Sequence, residues 1–165
     1  MLRARGGELE QEFAFGIARQ LLEKNVAALA AAERERVLDG AARAAAPIVD
    51  SRAPLGLSAQ TGTLGEELTF MVSHGLYWLV CKLADTGPLL LGVDDAQWCD
   101  RGSARFLSYL GRRLEELPVL LIVAVRSGEP GTDAVAAALS DAHPRVLRPC
   151  PLTEAAAITG SWVMG

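Results

Sequence analysis

Only two lysines, Lys24 and Lys82, occur among the 16 basic residues, and 20 acids leave a formal net charge of −4. A nucleic-acid surface needs a basic patch or stripe, so that class has no support here. Cysteine is nearly as scarce. Cys81, Cys99 and Cys150 are odd in number, widely spaced and without a C-x-x-C pair. That excludes a disulfide framework and points to buried thiols in a reduced, cytoplasmic protein. His74 and His143 make no metal-ligand spacing with them, so no zinc site is expected. No run of ~20 apolar residues is present, which is what a bilayer span requires. The longest approach, Leu68 to Leu83, is interrupted by Ser73, His74, Gly75 and Lys82 and reads as a buried helix. The first residues lack the apolar core of a signal peptide, so no leader and no membrane partner are expected.

What is present is apolar residues in half of all positions of a 165-residue chain, enough for one domain with a sizeable core. The most informative stretch is Pro88-Leu89-Leu90-Leu91-Gly92-Val93-Asp94-Asp95-Ala96-Gln97-Trp98. A short apolar run bounded by Gly87-Pro88 and ending in two carboxylates is the pattern of a buried parallel strand that delivers acids to the carboxyl edge of a sheet. Ligands of open α/β sheets bind at that edge. Paired acids there are costly without a cation or a water to act on. The pair therefore predicts a magnesium site, with Asp94 in the metal's coordination shell and Asp95 placed to polarise a water.

A second apolar run, Val119 to Val125, ends at Arg126. Between the two runs lies a helical pattern from Asp100, a natural N-cap, to about Glu116. Strand, helix, strand in that order is a parallel crossover, which brings Arg126 to the edge that holds Asp94 and Asp95. A guanidinium there suits a γ-phosphate; the competing role is a salt bridge from Arg126 to either aspartate. Elsewhere the pattern predicts a short strand over Leu2–Arg5, helices over Glu8–Glu23, Asn25–Ala46 and Glu66–Ala84, a loop over Asp50–Gly65, a helix over Thr132–Ala142 and a last short strand near Val146–Arg148. Arg105, Arg112 and Arg113 read as surface arginines paired with Glu115 and Glu116, against the alternative of an arginine finger.

The run Val-Asp-Asp-Ala-Gln-Trp at 93–98 resembles the Walker B strand of P-loop NTPases, of the AAA/STAND type found in large ATP-binding LuxR-type transcriptional regulators of bacteria. Leu2-Arg3-Ala4-Arg5-Gly6, Glu12-Phe13-Ala14-Phe15-Gly16 with Arg19-Gln20-Leu21, His74 to Leu79, Val123-Ala124-Val125-Arg126 and Leu147 to Ala155 are similar to the same family. The resemblance implies an incomplete three-layer α/β fold, a parallel sheet flanked by helices in the strand order 5-1-4-3-2. It implies Mg2+ and ATP as cofactors of the intact domain, with Asp94 as metal ligand, Asp94, Asp95 and Arg126 around the nucleotide, and Asp95 and Arg126 as the catalytic pair. It also implies a partial ATPase core over residues 1–152, with Thr153 capping the first helix of a lid cut short at Gly165.

One element of that family is missing. No G-x-x-x-x-G-K-[ST] occurs, and neither lysine follows a glycine, so the loop that cradles the phosphates is absent. The expectation is an internal slice of an ATPase switch domain, inactive alone, with self-association open and with DNA contacted only through a region outside it. Two other classes compete. A phosphoacceptor receiver domain also pairs aspartates at a strand end, but it needs a later lysine, and none follows Lys82. A catalytically silent interaction module on the same fold is the stronger rival.

Overall fold

The computed structural model describes residues 1–53 and 65–148. Three parallel strands, β1 (Leu2–Arg5), β2 (Leu89–Asp94) and β3 (Val119–Val123), form a sheet in the order β1-β2-β3. The register aligns Arg5 with Asp94, and Leu2 and Leu121 with Leu91. The helices are α1 (Gly16–Ala28), α2 (Ala31–Val37), α3 (Ala46–Val49), α4 (Glu66–Ala84), α5 (Arg101–Gly111) and α6 (Thr132–Ser140), with short 3-10 turns between several of them. None of the described helices is long and apolar enough to cross a membrane.

Among the described residues, one side of the sheet is covered and the other is not. Ala4, Leu91 and Val93 join Leu21, Leu22, Leu76, Leu79, Phe106 and Leu110 in a single core. Alternate residues point the other way, and there Arg3, Arg5 and Asp94 are exposed, Leu120 is 58% exposed and Ile122 51%. The described residues therefore make two layers where three were expected. The chain steps across the sheet twice in the same direction, and crossovers of one hand then put both connecting segments on one face. Parallel sheets are ordinarily covered on both faces.

Several expected boundaries shift for identifiable reasons. The first helix does not begin at Glu8. A 3-10 turn at Glu8–Glu10 leads to Phe15, which sits in the left-handed region at φ 60°, and only then does α1 start. The expected helix over Asn25–Ala46 is broken. Leu29 and Ala30 are extended, α2 is short, and Gly40 at φ 61° opens a 3-10 segment over Gly40–Ala45. That segment packs on α4, where a Cβ on Gly75 would lie 2.8 Å from the Ala45 nitrogen. Helix propensity yields here to close approach of two backbones. The helix after Asp100 ends at Gly111, and a 3-10 turn at Leu114–Glu116 replaces its last turn.

The strand expected near Val146–Arg148 is not formed. Residues 143–148 are irregular, with Val146 and Leu147 exposed. A strand needs a ladder partner, and residues 143–148 find none among the described strands. The helix expected from Thr153, and most of the Asp50–Gly65 loop, lie outside the described residues.

Candidate functional site

The site is built at the carboxyl edge of the sheet, where β1 and β2 end side by side. Beyond Arg5 the chain turns at Gly6, whose N–H donates to the Asp94 carbonyl at 2.8 Å. Gly6 is required there. A Cβ at that position would fall 2.3 Å from the Asp95 carbonyl oxygen and 3.2 Å from Trp98 Cβ. Asp95 itself turns sharply at φ 50°, a left-handed conformation that aspartate tolerates better than most side-chain-bearing residues. A short 3-10 turn, Ala96–Trp98, then carries the chain to Asp100 and α5.

The two aspartates take different roles. Asp94 is exposed, and its Oδ1 accepts the Asp95 N–H at 3.0 Å; its other oxygen has no partner among the described residues. Asp95 is 6% exposed and held by two arginines. Arg5 reaches Oδ2 with both Nε (2.8 Å) and Nη2 (2.7 Å). Arg126 lies across the carboxylate, with Nε 2.7 Å from Oδ1 and Nη2 3.2 Å from Oδ2. Gln97, buried, completes the cluster. Its amide donates to Asp95 Oδ1 at 3.4 Å, and its Oε1 accepts the Arg126 N–H at 3.2 Å. Gln97 thus ties the end of β3 to the turn after β2. Gly131 lets the α6 loop approach, since a Cβ there would meet the Gln97 carbonyl at 2.3 Å.

Charge follows the contacts. The Arg5 hydrogen bond, with Gln97 and Arg126 adding to it and burial opposing, holds the Asp95 carboxyl below its ordinary value of 3.8. A carboxyl lowered on folding contributes stability that is present above the unfolded value and is lost as pH falls through the folded one. The urea midpoint of the wild type should accordingly drop on acidification from pH 5 towards pH 3, and more steeply than that of Asp95→Asn, which has no carboxyl to protonate. Parallel pH profiles for the two proteins would contradict the assignment. The Arg5 guanidinium shows the reciprocal effect and is raised above its ordinary value by the same hydrogen bond, then by the charges of Asp95 and Asp94.

The expected convergence is therefore present: Asp94, Asp95 and Arg126 share one edge. The ion pair from Arg126 to Asp95, one of the two roles open to that arginine, is the arrangement seen. Arg5 and Gln97 were not anticipated. Arg5 was legible in principle, because it is the last residue of a strand parallel to Leu89–Asp94 and so ends on the same edge. Gln97 lies in the Val93–Trp98 run, but that run assigns it no role. Its role depends on burial and on the path of β3. Arg105 pairs with Glu66 at 2.8 Å, Arg112 approaches Asp141 at 4.0 Å, and the Arg113 guanidinium lies 3.7 Å above the Tyr109 ring. They are surface arginines, as expected, but with partners other than Glu115 and Glu116.

Asp94 offers a hard oxygen donor open to solvent, which fits magnesium, an ion commonly held by one or two carboxylates together with waters and phosphates. No cluster of three or more His, Cys, Asp or Glu side chains that could cage a metal occurs among the described residues. Burial first, then the charge of Asp100, pushes the Cys99 thiol up to about 12, which keeps it protonated near neutral pH.

Fold and site together define an α/β protein whose parallel sheet presents a polar, charge-paired cluster at its carboxyl edge. Comparison with protein-family models, with curated proteins and with solved structures finds no match.

Proposed function

We propose that this chain carries the Walker B and sensor-arginine part of an ATP-binding switch domain of the AAA/STAND type, from a signal-transducing transcriptional regulator. The observation that carries the reading is the placement of Asp94 at the end of β2, Asp95 in the turn after it and Arg126 three residues beyond β3 on a single sheet edge, where Arg126 pairs with Asp95. Asp94 is the residue that would hold magnesium, Asp95 would orient a water, and Arg126 would contact the terminal phosphate. Magnesium, when bound, neutralises charge on the β- and γ-phosphate oxygens. The bare sheet face and the open edge of β3 agree with the reading, since the strand order it implies puts a phosphate-loop strand beside β3.

The phosphate cradle must come from polypeptide outside this sequence, which sets the test. Mg-ATP titrated calorimetrically into the chain alone should give no micromolar binding. The same chain fused to a strand–G-x-x-x-x-G-K-[ST]–helix unit should bind at micromolar levels, and Asp94→Ala should abolish that binding. A fused protein that fails to bind, or that binds equally well with Asp94→Ala, would sink the proposal.

A second reading, a catalytically silent interaction module on the same fold, is favoured by the exposed Leu120 and Ile122 on the bare face. It predicts no nucleotide binding even in the fused protein.

A further inference from the structure

Asp95 is the carboxylate that the proposed function assigns to a water, yet both of its oxygens are covered. Arg126 spans the two, and Arg5 places two nitrogens on Oδ2. The arginines differ in how they are anchored. The backbone N–H of Arg126 is fixed by buried Gln97, and its carbonyl accepts the Thr132 hydroxyl at 2.7 Å. The Arg5 backbone is fixed too, its N–H and carbonyl both bonded to the side chain of Gln20. Beyond Asp95, however, no group bonds the Arg5 guanidinium among the described residues, and its side chain is 67% exposed. It can swing into solvent without disturbing the strand that carries it.

We propose that Arg5 is a latch on this edge: its guanidinium blocks Oδ2 of Asp95 in the resting protein, and an incoming polyphosphate opens the latch by drawing the guanidinium onto its own oxygens. Guanidinium pairs with phosphate as readily as with carboxylate, so the exchange conserves ion pairing while it leaves Asp95 held by Arg126 alone. Arg5 is then a positioning residue that couples arrival of the anion to release of Asp95. The proposal rests on the reading of this edge as a metal–triphosphate site.

The test needs no nucleotide. Mn2+ alone is titrated against the chain, with free ion followed by electron paramagnetic resonance. Arg5→Gln removes two of the three nitrogens on Oδ2, leaving Arg126 Nη2 at 3.2 Å, and takes away one positive charge beside Asp94. It should tighten Mn2+ binding about tenfold, the size of effect expected for one charge removed a few ångströms from a divalent ion in a half-hydrated site. Adding Asp94→Asn to Arg5→Gln should cancel the gain. Arg3→Gln is the control. It removes a charge from the same bare face two residues earlier without touching Asp95, and should stay within about twofold of wild type, as exposed charges beyond immediate contact are screened. Thermal unfolding of each variant verifies that all are folded. Unchanged affinity in Arg5→Gln, or an equal gain in Arg3→Gln, would overturn the latch. A Mn2+ gain in Arg5→Gln alone supports it even if the fused protein fails to bind Mg-ATP, so failure of the nucleotide reading and failure of the latch are told apart.

Discussion

Asp100→Ala should lower the stability of this protein by about 2–4 kcal/mol, with the urea midpoint falling and the m-value unchanged. Asp100 is 4% exposed and caps α5. Its Oδ1 accepts two backbone donors, Ser103 N–H at 2.9 Å and Phe15 N–H at 2.7 Å. The first bond is an ordinary helix cap, whose loss costs about 0.5–2 kcal/mol. The second holds a residue 85 positions away in sequence. Phe15 is fully buried in a left-handed conformation at the start of α1, and its N–H has no other acceptor among the described residues. Leaving a buried donor unpaired costs about 1–3 kcal/mol. The two contributions fall on different elements, α5 and α1, so they should largely add. Asp100→Asn keeps an acceptor of the same shape and should lose less than half as much. A loss below about 1 kcal/mol for the alanine variant would mean that the Phe15 turn stands without its carboxylate.

Gly6→Ala should be damaging on a similar scale, about 3 kcal/mol, while Gly7→Ala one residue on should be nearly neutral. The contrast is one of space. At Gly6 the added carbon would lie 2.3 Å from the backbone oxygen of Asp95, a residue whose own φ is already positive at 50°. At Gly7 the nearest neighbour is the flexible carboxyl end of Glu10, 3.4 Å away. Overpacking against backbone typically costs about 1–3 kcal/mol and occasionally more, because the neighbour cannot change rotamer to make room. Since the Asp95 turn must give way, the ion pairs from Arg5 and Arg126 should loosen as well. The check is chemical denaturation of both variants, with the Arg5 and Arg126 Nε–H resonances followed by nuclear magnetic resonance. Equal stability of the two variants would show that the turn after β2 has slack that its packing does not suggest.

Both substitutions act where segments distant in sequence meet, and this is also where the sequence was hardest to read. The strands were legible because each is a short apolar run with clear punctuation: Gly87-Pro88 before one, Leu117-Pro118 before the other, Gly6-Gly7 after the first. Helix α4 was legible because Val72, Leu76, Leu79 and Leu83 repeat at helical spacing, and all four are buried. The region from Glu8 to Ala46 was not. Its local propensity favours helix almost throughout. What interrupts it, the αL turn at Phe15 and the 3-10 segment against Gly75, is fixed by Asp100 and by α4, far along the chain. Arg145 to Arg148 failed differently, since their composition suits a strand but a strand exists only with a partner.

The sequence by itself determined that two successive parallel strands carry Asp94 with Asp95, and Arg126, to one edge of a sheet, because apolar runs, their breakers and a rule of connection suffice for that. The second strand stops at Val123, two residues short of the expected Val125. Only the tertiary structure decided that the two aspartates are unlike, one open to solvent and one clasped by Arg5 and Arg126. That difference arises from strand register and from the direction each chain takes after its last ladder bond, and neither is written in any local pattern.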